Sequence, residues 1–240
     1  MQTETKDHKT ASSSAMAKTE NRKEAEQFVY LLIFVAVLFG LTFVDAYKPD
    51  YTVYAICILA VTLVMFFVKR LVAKRYEIDL ENKLWISGLI FSGVATLFIS
   101  AFGVLFVAPI LNTTDYVRSK TLRGFKRGEV TVKEKWHIAI FSSMLFLSIA
   151  MAFLYLGSEY SSQPLFIGGA FLVTYTFINL VPYHKFDGAF LAYHNTMLSL
   201  VFLLLAFFTM VAVYINFAAG LFMTGVFILF GFVTYRIKLW

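Results

Sequence analysis

From position 27 onward the chain alternates long stretches free of Asp, Glu, Lys and Arg with short charged interruptions. The uncharged stretches cover 27–44, 51–68, 84–114, 136–158, 160–184 and 188–235. A single charge at the centre of a membrane helix costs roughly 2.5–3.5 kcal/mol on the insertion scale, so these stretches mark spans. A crossing takes about 20 residues, which makes the last stretch long enough for two helices. The break falls near "YINFAAG" at 214–220. Taken alone, the pattern predicts seven apolar helices.

Composition agrees with lipid as the solvent. Of 240 residues, 59% are hydrophobic and 15% charged, against about a quarter charged in soluble domains. Cys57 is the sole cysteine, which excludes a disulfide framework and a cysteine-based metal site. The net charge of +6 reports orientation in such a chain rather than a nucleic-acid partner. Residues 1–26 are polar, mixed in charge and without aromatic side chains. They cannot bury enough area to offset ordering entropy, and read as a disordered cytoplasmic tail ahead of a polytopic membrane domain at 27–240.

Positive charge changes the count of crossings. Five basic residues lie in the tail, five between 69 and 83, seven between 118 and 135, and Lys185, Arg236 and Lys238 follow. Lys48 stands apart, in the loop at 45–50. If 84–114 crossed once, the two richest loops would face opposite sides. If it enters and returns, every basic residue but Lys48 lies in the cytoplasm. The positive-inside rule therefore predicts six transmembrane helices plus a re-entrant membrane hairpin, with both termini cytoplasmic. Gly88, Gly93 and Gly103 permit the bend, which protein must cover because bent backbone cannot face lipid. The loop "GEVTVKEK" at 128–135 alternates like a short strand. The wider basic loop reads as an orientation signal, or as a surface for anionic headgroups.

One run breaks the apolar rule: "FINLVPYHKFDGAF" at 177–190 places Asn179, Pro182, His184, Lys185 and Asp187 together. Proline ends a helix at Pro182, and Asp187 is placed to N-cap the helix that starts at Gly188 or Ala189. The alternative is an ion, metal or substrate site at a discontinuous helix.

"NLVPYHKFDG" resembles the N-x-x-P-x-x-x-[LF]-D-G element of the site-2 protease family, the intramembrane zinc metallopeptidases, with Asn179, Pro182, Asp187 and Gly188 in register. The resemblance covers about 51–195 and implies an all-α integral membrane protein with a site-2-protease-like core. It also implies a membrane-inserted element where the hairpin is predicted, and Asp187 as third zinc ligand. "APILNT" (108–113) and "WHIAIFSS" (136–143) are looser echoes of archaeal members. The family's remaining ligands and its general base come from H-E-x-x-H, where two His at i and i+4 hold zinc and the Glu activates water. Archaeal members run on from that motif much as "RLVAKRY" does at 70–76. That register puts Met65, Phe66 and Lys69 on the first His, the Glu and the second His. All three are replaced, and no H-E-x-x-H occurs elsewhere.

The expected protein is a non-catalytic, archaeal-type relative of these proteases in the cell membrane. No zinc or other cofactor is expected, and Lys69 is expected to pair with Asp187. Its partners are the lipid bilayer and a transmembrane client or membrane-complex subunits, with the Asn179–Asp187 bend offering hydrogen bonds to a locally unwound client helix. No nucleic acid is implied. Two alternatives stand beside it. One is an active metalloprotease with a relocated zinc site drawn from Asp187, His184, His194 and His137. The other is a small-solute or ion transporter with Asp187, Lys185 and Asn179 along its path.

Overall fold

The computed structural model describes residues 29, 51–100, 112–118, 130–184 and 186–237. The tail, the predicted crossing at 27–44 apart from Val29, the 45–50 loop, Gly103 and most of the basic loop lie outside them.

Helix α1 (Tyr51–Arg75) runs past the uncharged stretch and takes in Lys69, Arg70, Lys74 and Arg75. Its buried positions are Ile58, Val61, Thr62, Met65, Lys69, Val72 and Ala73, three or four apart, which is one stripe of a helix. Ile56, Leu63, Phe67 and Leu71 are exposed on other faces. Lys69 is thus held in the inward register by the apolar residues on either side of it.

Strand β1 (Ile78–Leu84) follows and pairs antiparallel with β2 (Asn112–Arg118), from Ile78 opposite Arg118 to Leu84 opposite Asn112. The expected all-α architecture is therefore corrected by a two-stranded sheet. Ile78 and Leu80 are buried while Asp79 is exposed, the period-two alternation of a strand with one covered face. Those two side chains close a small apolar cluster with Val72, Ala73 and Ile138. The pairing holds the two ends of 84–112 side by side. Between them α2 (Ile86–Ser100) has 15 residues, a rise of about 22 Å, short of the roughly 30 Å hydrocarbon core.

Helix α3 (Val132–Glu159) begins where 128–135 is predicted to be a strand. A capping box decides the outcome: the Glu134 amide donates to the Thr131 hydroxyl and the Thr131 amide to the Glu134 carboxylate. Two amides that a helix start leaves without partners are satisfied at once. Helix α4 (Gln163–Leu180) is the central element, buried at every position from Gly168 to Thr176. Glycine makes its approach to α3 close: a Cβ on Gly157 would stand 2.7 Å from the Phe166 backbone nitrogen, and one on Gly169 2.7 Å from Leu154.

The final apolar stretch divides twice. Helices α5 (Asp187–His194), α6 (Thr196–Ile215) and α7 (Phe217–Ile237) meet at Asn195 and Asn216. The second break is the predicted one. At the first, Asn195 accepts from the Leu198 amide and caps α6. Within the helices, hydroxyls of Thr62, Thr174, Thr176, Thr209, Thr224 and Thr234 donate to the carbonyl four residues earlier. An apolar interior can hold them because each of these hydroxyls is paired within its own helix. Helices α1, α3, α4, α6 and α7 are long and apolar enough to cross a membrane. The chain is that of a multi-pass membrane protein.

Candidate functional site

Helix α4 stops at Leu180, and Val181 turns extended (φ −61°, ψ 132°) ahead of Pro182, as a residue before proline must. A tight turn follows, with the Tyr183 amide donating to the Val181 carbonyl and the Phe186 amide to Tyr183. Trp85 stacks on Tyr183 and meets the edge of Phe186. The chain then doubles back into α5. A Cβ at Gly188 would collide with the carbonyls of Leu180 and Val181. Glycine is therefore what allows α5 to start against the end of α4, which brings Asn179 and Asp187 together.

Asp187 does not cap its helix. Phe186 is the N-cap, without a side-chain cap bond, and the carboxylate turns into the protein, where Asp187 is 2% exposed and Lys69 6%. The Lys69 ammonium bridges both oxygens, 3.0 Å from Oδ1 and 2.8 Å from Oδ2. Tyr116 Oη donates to Oδ1 at 2.6 Å and Asn179 Nδ2 to Oδ2 at 2.7 Å. Three donors from α1, β2 and α4 thus converge on one carboxylate from α5. A buried carboxylate persists only when paired and hydrogen-bonded on this scale. The expected Lys69–Asp187 pair is present in the geometry.

Tyr116 lies outside the spanning helices. Burial first, then the charge of Asp187 and the bond to it, push its phenol well above its ordinary pKa. It stays protonated and serves as a donor. Its ring meets Phe190 edge-on at 5.5 Å. The Lys135 ammonium lies 5.8 Å from the Tyr116 ring and 4.9 Å from that of Phe190, within the range of cation–π attraction.

The other sequence candidates fall into place around this centre or away from it. Met65 is buried one turn before Lys69, and Phe66 packs half-buried against the main core. His184 is exposed beside the Tyr183 ring. His194 lies against Trp136, ring centroids 5.0 Å apart, and His137 packs on Trp136 and Tyr76. Among the described residues no three His, Cys, Asp or Glu side chains converge as a metal site would require. The donor set does not fit zinc either, since an ammonium, a phenol and an amide already occupy both oxygens of Asp187. Lys185 lies outside the described residues. The bend also has less to offer a client than expected, because Asn179 donates to Asp187. Tyr116 and Lys135 escaped sequence reasoning: Tyr116 is brought in by a strand whose partner lies some thirty residues away, and nothing local marks it.

No protein-family model, curated protein or solved structure matches this chain.

Proposed function

We propose that the chain is a non-catalytic membrane protein on a site-2-protease-like scaffold. In it a salt bridge stands where the family holds its metal, and it serves as a binding partner of a membrane client or as a subunit of a membrane complex. The observation that carries this reading is the Lys69–Asp187 contact. Sequence resemblance alone assigned Lys69 to a lost ligand position and Asp187 to a retained one, in stretches far apart along the chain. In the fold they touch, with Met65, the other lost ligand position, buried on the same stripe one turn away. The antiparallel pairing of β1 with β2 supports a re-entrant hairpin over 84–114, because a segment whose ends lie side by side returns to the side it left. With the crossing at 27–44, this gives six spans and two cytoplasmic termini. Since Asp187 is buried and already bonded to Lys69, Tyr116 and Asn179, a client or neighbouring subunit meets the outer surface rather than Asp187.

Metal content tests the scaffold and the loss of chemistry together. Purified wild-type protein is expected to be zinc-free. The variant Met65→His/Phe66→Glu/Lys69→His is expected to bind about one zinc per chain, as three protein ligands suffice, and to lose it on adding Asp187→Ala. Near-stoichiometric zinc in the wild type, absent from Asp187→Ala, would overturn the non-catalytic reading. A folded triple variant that takes up no zinc would remove the scaffold reading.

A further inference from the structure

The two strands share one apolar cluster, against which Tyr116 of β2 also packs, and β2 adds a polar bond into the interior. Strand β1 is anchored by apolar burial, with Ile78 fully buried and Leu80 nearly so against Val72, Ala73 and Ile138. In β2, Asp115 and Val117 are exposed while Tyr116 turns inward between them. The inward residue lands on the buried Lys69–Asp187 pair. It reaches Asp187 through a short bond of 2.6 Å, in the range of hydrogen bonds to an ionised acceptor, and its ring is flanked by Phe190 and Lys135. Apolar anchoring is diffuse and has no single point of release. A polar bond has one.

We propose that β2 is a strap latched onto the Lys69–Asp187 pair by the Tyr116 hydroxyl, and that release of this bond uncovers the pair while the helices stay assembled. Three arrangements support it. The carboxylate keeps Lys69 and Asn179 when Tyr116 leaves, so the buried charge stays paired. The ring Tyr116 rests on belongs to Phe190 of α5, the same helix as Asp187, so strap and ion pair report on one element. The Lys135 ammonium sits against both rings and follows directly on the Thr131–Glu134 capping box, so its position is fixed by the start of α3. The strap thus couples three things: the sheet, the ion pair and the first turn of α3. The inference depends on these contacts alone and holds whether or not the scaffold is related to a protease.

The test uses the full chain in detergent or nanodiscs, as wild type, Tyr116→Phe and Asp187→Asn. Tyr116→Phe keeps the ring and removes the latch alone; Asp187→Asn removes the latch and the ion pair together. Hydrogen exchange over 78–84 and 112–118 is expected to rise about tenfold or more in Tyr116→Phe, the factor set by loss of a charge-assisted bond, with α3 and α4 unchanged. Asp187→Asn, which also strands the Lys69 ammonium, is expected to loosen α1 and the end of α4 together with the strands. Acylation of Lys69 by a water-soluble amine reagent, read by mass spectrometry, is expected to rise by a similar factor in Tyr116→Phe. Unchanged exchange in the strands would overturn the latch. Exchange in Tyr116→Phe that rises in α3 and α4 as well, or a Tyr116→Phe chain that does not fold, would make Tyr116 a core packing residue and overturn it too. Faster strand exchange with Lys69 still unmodified would show that the strap does not cover the pair.

Discussion

The Lys69 ammonium lies 2.8 Å from a carboxylate oxygen of Asp187, although 118 residues separate the two along the chain. Each residue alone would be a charge buried among apolar helices. Together, with Asn179 and Tyr116 closing the remaining acceptor positions, they form a centre that four elements share.

Breaking the pair from one side leaves the other charge stranded. Lys69→Met and Asp187→Leu are each expected to lower stability by about 3–5 kcal/mol. The double variant is expected to lose less than either single one, because no uncompensated charge remains. Thermal unfolding in detergent checks this, and a Lys69→Met protein that melts like the wild type would mean the pair carries no stabilising role.

Gly188 and Gly225 make a matched control. At Gly188 a methyl group meets the carbonyls that end α4, whereas at Gly225 nothing lies within 4 Å. Gly188→Ala is expected to cost about 3 kcal/mol, the upper range for overpacking, and to weaken the Asn179–Asp187 contact. Gly225→Ala is expected to be neutral or to stabilise by about 0.5–1 kcal/mol through helix propensity. The comparison is read from melting temperatures, and equal effects at the two sites would contradict the packing account of the Asp-Gly pair.

Alkaline titration reports on Tyr116. Its folded pKa is raised above the ordinary value of 10.0, so the folded protein keeps a proton that the unfolded chain releases. The associated stability is fully present below about pH 10 and falls away as the pH rises further. Phenolate absorbance of the folded protein between about pH 10 and 11 should match in wild type and Tyr116→Phe, because Tyr116 is silent there. In denaturant the wild type should show an additional phenolate. A folded-state difference between the two would place Tyr116 in water.

The start of α3 offers a smaller, local effect. Thr131→Ala removes the hydroxyl that accepts from the Glu134 amide and is expected to cost about 1 kcal/mol. Faster amide exchange confined to the first turn of α3 is the signature; protection unchanged at that turn would mean the box is not what sets the helix start.

The parts of this fold that were legible in the sequence are those governed by charge in lipid. The spans from α1 onward, and the break at Asn216, follow from where charges are tolerated. The same bookkeeping foresaw that 84–114 is unlike the other stretches, and the sheet now pairs its ends. The match of Lys69 with Asp187 came through the resemblance, which sets both on ligand positions of one site, and not from any local pattern. The strands were harder to read. The Ile78, Leu80 alternation sits in a charged connection, and its partner is distant. Over 128–135 a four-residue alternation fits a strand and a helix start alike, and the Thr131-x-x-Glu134 spacing was the better guide. The Asn195 break has no proline or glycine to announce it, only an asparagine whose side chain suits a cap. Asp187 does not form the cap that its position offers, although a carboxylate at a helix start ordinarily bonds its own backbone. Here a donor more than a hundred residues upstream outcompetes it.

The distance along the chain between Lys69 and Asp187 has a consequence for biogenesis. At about 5–20 residues per second, a ribosome adds Asp187 roughly 6 to 24 s after it adds Lys69. During that interval α1 resides in the bilayer before the carboxylate that its ammonium bridges has been made, and a lysine near a helix end reaches for the headgroups. The final depth and rotation of α1 are therefore set late, when α5 arrives with its carboxylate. The first described helix to be made is among the last to be positioned.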